Sequence, residues 1–317
     1  MTNHPQQPGQ EGNDGEKVTL EIQDAETGEF HPTAAAGPIQ LLPEEALPNV
    51  VSTASTTTSA FPSAAVKQIL APNCTTDKER RNAYLFKNSS TGQNTNLLIL
   101  LHGTGDTHRP FAQLATTMEL PQTCSLAIHA VEFETLPMGL GHSWFQEMDY
   151  ATGSPLHRED PRRQASLYQA AEKLCELVEV LTKDWIVPER IFFLGFGAGA
   201  TAAMETAKMW CHRDNRPKLG GAICVAGGCE SPPVDWTEAQ LNNLTDTLIL
   251  TGANNPSYSP ESLNRSRLLY DKTGKSCFFH IEGGKGMGML SSPIEMRVVM
   301  EFFSKRLVRV SNIGGNS

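Results

Sequence analysis

The chain has 317 residues, 39% hydrophobic and 7% aromatic, and a net charge of −9. Residues 1–60 hold nine acidic side chains and one basic one, which leaves a net charge of only −1 for residues 61–317. Because residues 61–317 are nearly neutral, their charge gives no reason to expect binding to nucleic acid or to an anionic membrane. No run approaches the ~20 apolar residues of a membrane helix, so we expect no membrane span.

The first residues lack the basic start and the apolar core of a secretory signal. The seven cysteines include no C-x-x-C pair, and several lie inside apolar stretches. These features predict reduced, packed thiols in a cytoplasmic protein, without a disulfide framework or a zinc site.

Residues 1–62 are rich in Pro, Gln, Thr, Ser, Gly and acidic side chains. Such a segment buries too little apolar surface to offset its ordering entropy, so we predict a disordered acidic tail before one folded domain at 63–312. The tail either keeps the protein soluble or serves as a segment that is phosphorylated or docks a protein partner, and the sequence leaves these roles open.

Strands and helices alternate through the predicted domain. In chain order the sequence predicts an edge strand at Asn82–Lys87, strands at Asn96–Leu101 and Leu126–Val131, a helix at Gln164–Thr182, a strand at Ile191–Leu194, a helix at Thr201–Trp210, strands at Ala222–Ala226 and Thr247–Thr251, a helix after Pro260, a strand at Cys277–Ile281 and a helix at Ile294–Leu307. This alternation predicts an α/β fold, a mostly parallel doubly wound sheet with helices on both faces. Ligands of such sheets sit at the carboxyl ends of the strands.

The turn GFGAGA, between the strand that ends at Leu194 and the following helix, has two interpretations. As Gly195-x-Gly197-x-x-Ala200 it fits a dinucleotide-binding turn, which would make the protein an NAD(P)-dependent oxidoreductase with Glu230 on the ribose. That motif opens its domain in most such proteins, whereas here at least three strands precede it. The same turn fits the G-x-S-x-G elbow of a hydrolase, with Gly197 in the central position of positive φ.

Five segments of the predicted domain are distinctive: LLILLHGTGD at 97–106, LPMGLGHSWFQ at 136–146, IVPERIFFLGFGAGA at 186–200, TGANNP at 251–256 and EGGKGMGM at 282–289. They resemble segments of the phospholipase/carboxylesterase family, the acyl-protein-thioesterase-like group of α/β hydrolases. Their order and spacing follow the family across about residues 80–310. The resemblance implies an α/β-hydrolase fold and a family activity on carboxylic esters, phospholipids or acyl-protein thioesters.

The resemblance places the Ser-Asp-His triad at Gly197, Asn255 and Met287. A one-gap shift would put Lys285 at the histidine position, which also departs from the family pattern. Glycine supplies no nucleophile, methionine no proton acceptor, and asparagine no charge to stabilise an imidazolium. We therefore expect a non-catalytic pseudo-hydrolase with a binding or regulatory role. The alternative is an active ester hydrolase that uses non-standard residues.

The predicted ligand site depends on backbone donors, which survive the loss of side chains. By resemblance, one N–H lies near Thr104, in a loop that includes His102 and Gly103, and one belongs to Ala198. Trp144, with Phe145 beside it, would form an apolar wall for an acyl or ester-like ligand.

Two further groups of side chains near this predicted site could have a chemical function. Ser143 with His142 could form a substitute catalytic pair, although sequence neighbours rarely point the same way. His102, Asp106, His108 and His142 could form a metal site, but their spacing repeats no known ligand pattern. We expect no metal and no cofactor.

Overall fold

A computed structural model describes residues 21–23, 30–32, 60–72, 83–131, 133–213, 216–230, 237–271, 277–283 and 285–310. The strands are β1 (Glu21–Gln23), β2 (Phe30–Pro32), β3 (Tyr84–Lys87), β4 (Asn96–Leu101), β5 (Thr123–Ile128), β6 (Glu134–Thr135), β7 (His142–Ser143), β8 (Ile191–Phe196), β9 (Gly221–Val225), β10 (Thr247–Gly252) and β11 (Cys277–Glu282). The helices are α1 (Ser63–Leu70), α2 (His108–Met118), α3 (Pro161–Asp184), α4 (Ala198–His212), α5 (Glu238–Asn242), α6 (Pro260–Asp271) and α7 (Pro293–Ser304). Short 3₁₀ turns lie at Pro137–Gly139 and Pro188–Arg190.

Nine strands form the central sheet in the order β2-β1-β11-β10-β9-β8-β4-β5-β3. The six strands from β11 to β5 run parallel to one another. Strand β3 closes one edge antiparallel to β5, while β1 pairs antiparallel with β11 at the other side. Strands β6 and β7 form a separate hairpin. The predicted mostly parallel α/β sheet is confirmed.

The alternation of side chains along β4 shows why the sheet carries helices on both faces. Leu97, Ile99 and Leu101 pack into the core that includes α1, α3 and α4. Leu98 and Leu100 point to the opposite face and pack with side chains of α2 and α7. All six residues of β4 are buried, as expected for a strand between two helical layers.

Helix α3 buries one apolar stripe along its length. Asp160 caps the helix by accepting a hydrogen bond from the backbone N–H of Arg162, and Pro161 takes the first helical position. The stripe includes Leu167, Ala171, Leu174, Val178 and Leu181, which are all buried. None of the helices in the described ranges combines the length and the apolar content that crossing a membrane requires.

Several elements differ from the sequence predictions. Two short strands, β1 and β2, lie within residues 1–62, which were predicted to be disordered. Strand β1 pairs with β11, and β2 pairs with β1. The other tail residues before residue 60 lie outside the described residues. The third predicted strand ends at Ile128 instead of Val131 because the chain turns away from β4 there. Helix α2 was not predicted.

The turn from β8 into α4 is closely packed at Gly195 and Gly199. A Cβ at Gly195 would lie under 3.0 Å from the backbone of Gly199 and Ala200. A Cβ at Gly199 would lie equally close to the carbonyls of Leu101 and His102. Glycine is therefore required for backbone approach at both positions.

Replacing Gly195 with alanine should lower the free energy of unfolding by about 3 kcal/mol or more, because the methyl group meets rigid backbone. Gly92→Ala is the control for backbone conformation without crowding: the φ of Gly92 is positive, at 74°, unlike that of Gly195, and a Cβ there meets nothing within 4 Å. We expect a loss of about 1 kcal/mol at Gly92. Urea denaturation of both variants would measure the difference, and equal losses would contradict the packing argument.

Candidate ligand-binding site at the elbow

Gly197 forms the elbow between β8 and α4, with φ of 53° and ψ of −118°. Its N–H donates to the carbonyl of Val225 at 2.9 Å, which joins the elbow to β9. Helix α4 has no side-chain cap and no acidic residue in its first turn. Its first N–H groups, beginning with Ala198, therefore point toward the carboxyl edge of the sheet with the positive end of the helix dipole.

Met287 lies opposite the elbow. A Cβ built on Gly197 would lie 3.5 Å from the Met287 ε-methyl, an ordinary van der Waals distance. The Met287 side chain is 48% exposed. The two positions that resemblance assigned to nucleophile and base are thus adjacent, although 90 residues separate them in the chain.

Asn255 is connected to Met287 through Ser257. The Asn255 amide oxygen accepts the Ser257 backbone N–H at 3.0 Å, and its amide nitrogen donates to the Thr251 hydroxyl at 3.2 Å. The Ser257 hydroxyl then donates to the Met287 sulfur at 3.3 Å. Asn255 is buried, and Ser257 was not recognised in the sequence because only this contact identifies it.

An ion pair anchors the loop that carries Met287. Lys285 pairs with Glu295 at the start of α7 and also donates to the Met289 carbonyl at 2.9 Å. Burial would raise the pKa of Glu295, but hydrogen bonds from Lys285 and from the backbone of Ser291 and Ser292 outweigh burial and lower it. The Lys285 ammonium group is thus paired with the Glu295 carboxylate of α7.

His102 shapes the loop after β4. Its Nε2 accepts the Ala130 N–H at 3.1 Å, so its Nδ1 carries the proton and donates to the Gly103 carbonyl at 2.7 Å. Burial lowers the pKa of His102 to about 4. The ring is therefore neutral near pH 7 and fully buried. Its two hydrogen bonds fix the turn after β4.

Thr104 is held by a cluster that the sequence did not reveal. Its hydroxyl donates to the Glu147 carboxylate and lies 3.1 Å from the Ser143 hydroxyl. Ser143 also donates to Glu147 at 3.2 Å. Burial raises the pKa of Glu147, and the hydrogen bonds from Thr104 and Ser143 oppose that rise. The cluster ties the loop after β4 to the segment that follows β7.

Trp144 differs from its predicted role. The side chain is 1% exposed, and its indole N–H donates to the His102 carbonyl at 2.7 Å. Phe145 is fully buried, with the Arg163 guanidinium 4.9 Å from its ring centre. These rings support the loop from the core and offer no accessible face to a ligand. The exposed apolar side chains of this region are Met138 and Leu140, between β6 and β7.

Ser143 and His142 do not form a pair. Ser143 is fully buried, and its hydroxyl is engaged with Thr104 and Glu147. The His142 ring instead lies 5.3 Å from the ring of His129. Successive residues of β7 point to opposite sides, which separates the two side chains.

Four histidine rings do meet beside the site, with neighbouring centres 5.1 to 5.3 Å apart: His102, His108, His129 and His142. Within the part of the chain that the structure describes, no three His, Cys, Asp or Glu side chains are arranged to hold a metal ion. Burial lowers the pKa of His108 to about 4 and also lowers that of His142.

A parallel sheet with this strand order and a glycine elbow between β8 and α4 defines an α/β-hydrolase fold. Residues 82–304 match the phospholipase/carboxylesterase family, and the chain belongs to that family. Family membership favours the elbow interpretation of GFGAGA over the dinucleotide one. The dinucleotide interpretation placed Glu230 at a ribose. In the structure Glu230 forms an ion pair with Arg163 at 2.8 Å.

Two curated relatives are uncharacterized hydrolases. The protein from Schizosaccharomyces pombe is 28% identical over 42% of this chain and 53% of its own length. The protein from Mycosarcoma maydis is 30% identical over 48% of this chain and 56% of its own length. The matched segment thus spans about half the length of these relatives.

Solved structures share the fold at low identity. Esterase PE8 aligns over 71% of this chain and 99% of its own, with a TM-score of 0.56 and 19% identity. Zea mays acyl-protein thioesterase 2 covers 70% and 97%, with a TM-score of 0.54 and 19% identity. The Bacillus cereus carboxylesterase covers 74% and 97%, with a TM-score of 0.54 and 18% identity.

The buried histidines predict loss of stability in acid. Unfolded imidazoles take up protons near pH 6.5, whereas folded His102 and His108 stay neutral down to about pH 4. Between these values the unfolded state binds more protons, so stability falls as pH falls from about 6.5 to 4. We expect each ring to contribute about 1–3 kcal/mol to this loss.

Urea denaturation of wild type and His108→Gln between pH 7.5 and 4.5 would test this. Glutamine does not titrate, so the variant should lose less stability over that range whatever its stability at pH 7.5. Exposed His157→Gln is the control and should keep the wild-type slope. Identical slopes in all three proteins would contradict the prediction.

Proposed function

We propose that this protein is a non-catalytic member of its family that binds an acyl or ester-like small molecule at the elbow. The observation that carries the proposal is that the Met287 methyl lies 3.5 Å from where a Cβ of residue 197 would be, with Asn255 linked to Met287 through Ser257. By resemblance these are the three triad positions. Glycine, methionine and asparagine cannot perform the steps of nucleophile, base and carboxylate.

The triad accounts for most of the rate enhancement of a hydrolase. Acyl transfer needs a nucleophile, a base that takes its proton and a carboxylate that holds the base. A hydrolase stripped of its triad keeps roughly 10³–10⁴-fold acceleration over water from its remaining donors and binding. Working enzymes reach roughly 10⁶–10¹⁷-fold. We therefore expect binding to outlast turnover at this site.

Backbone groups support retained binding. Ala198 is the first residue of α4, so its N–H lies at the start of the helix. The loop that contains Thr104 is held by the hydrogen bond from Thr104 to Glu147. In the same loop the Gly105 N–H donates to the His142 carbonyl at 2.9 Å. A carbonyl or carboxylate oxygen fits donors of this kind. We further propose that the acidic tail, most of which lies outside the described residues, recruits a protein partner.

The first test is incubation with a fluorophosphonate probe followed by intact-mass spectrometry, in parallel with hydrolysis of p-nitrophenyl acetate and octanoate. We expect neither an adduct nor turnover above a heat-unfolded control, because no activated hydroxyl lies at the elbow. Calorimetry with sodium octanoate tests binding. An adduct on one residue with matching turnover would establish the alternative, an active hydrolase with non-standard residues.

Restoring the triad tests the assignment of the three positions. A serine Cβ at Gly197 meets only the Met287 methyl, at 3.5 Å, so Gly197→Ser, Asn255→Asp, Met287→His should fold, with about 1–3 kcal/mol of backbone strain at the elbow. We expect octanoate ester hydrolysis at least about tenfold above wild type. The matched control carries Gly197→Ala with the other two changes and should stay at background. Equal rates in the two folded triple variants would count against the assignment.

A further inference from the structure

Met287 combines exposure with a central position. Its side chain is 48% exposed, while Met118 and Met204 are buried in the core. Among the described methionines only Met138, at 92%, is more exposed, and it lies on the connection between β6 and β7. Met287 is thus an accessible thioether whose methyl group lies 3.5 Å from the position that a Cβ on Gly197 would take.

We propose that Met287 is a redox modification site, and that its sulfoxide occupies the hydrogen-bond donors of the elbow. The oxidant is a peroxide. The thioether sulfur donates an electron pair to one peroxide oxygen, the O–O bond breaks, and the leaving oxygen takes up a proton as water. One thioether and one hydrogen peroxide give one sulfoxide and one water.

The geometry explains why the new oxygen would reach the elbow. The sulfoxide oxygen and the ε-methyl are both bonded to the sulfur, so rotation about the Cγ–Sδ bond can exchange their places. The methyl now lies 3.5 Å from a Cβ position on Gly197. An oxygen there meets the start of α4, whose first N–H groups have no intrahelical acceptor.

Ser257 adds a second contact. Its hydroxyl already donates to the Met287 sulfur at 3.3 Å, and a sulfoxide oxygen is a far stronger acceptor than a thioether sulfur. The Lys285–Glu295 ion pair anchors the same loop two residues away, so oxidation changes the chemistry of a fixed position. The oxidised side chain then competes with the oxygen of a ligand.

The oxidation step depends only on the exposure and position of Met287. Its effect on a ligand rests on the proposed function. The two are separated by measuring the modification and the state of the elbow without any ligand.

The experiment uses the full chain with Met138→Leu, which removes the most exposed of the described thioethers. The protein is treated with a graded series of hydrogen peroxide concentrations and mapped by peptide mass spectrometry. We expect Met287 to oxidise at least about tenfold faster than buried Met204, and methionine sulfoxide reductase to reverse the change. Equal rates at the two methionines would overturn the proposal.

Amide hydrogen exchange then reports on the elbow. In the oxidised protein, the peptide that contains residues 197–201 should exchange at least about threefold more slowly, because the sulfoxide accepts a hydrogen bond from the start of α4. Met138→Leu with Met287→Leu is the matched control and should show no change after the same treatment. Unchanged exchange in protein carrying the Met287 sulfoxide would overturn the claim that the oxygen occupies the elbow.

Calorimetry with sodium octanoate completes the design. If the reduced protein binds octanoate, oxidation should weaken binding at least about fivefold in the Met287 protein and leave the Met287→Leu control unchanged. Equal affinity before and after oxidation would overturn the competition between sulfoxide and ligand. If the reduced protein binds no octanoate, the proposed ligand class fails, while mapping and exchange still decide the modification.

Discussion

A close backbone approach between β8, β4 and the start of α4 organises the carboxyl edge of the sheet. Gly195 and Gly199 allow the approach, and a methyl group at either position would meet backbone atoms. The tight turn imposes a positive φ on Gly197 and aims the first N–H groups of α4 at the carboxyl edge of the sheet. It also places the loop that begins at His102 directly against the helix.

The loops around the elbow are held by hydrogen bonds and by an ion pair. Neutral His102 bridges Gly103 and Ala130, and Glu147 holds Thr104. On the opposite side, the charge of Lys285 is matched by Glu295. A scaffold of this kind preorganises backbone donors and needs no triad to keep its shape. The proposed binding role is consistent with that architecture.

Local pattern was enough for the elements whose apolar residues repeat regularly. The continuous run of β4 and the stripe of α3 are visible in the sequence because burial imposes them residue by residue. Helix α2 was not predicted because only His108, Phe111 and Met118 of its residues are buried, which is too few for a regular apolar stripe. Strand β1 escaped because its partner, β11, follows more than 250 residues later, and no local pattern reports such a pairing.

The sequence by itself determined the class of fold and the position of the glycine turn between β8 and α4. Only the tertiary structure decided which side chains meet: it joined Ser257 to Met287, buried Trp144 beneath the loop and separated Ser143 from His142. The physical reason is that residue identity and short-range periodicity record burial along a chain. The distance between two loops depends instead on how all the strands between them pack.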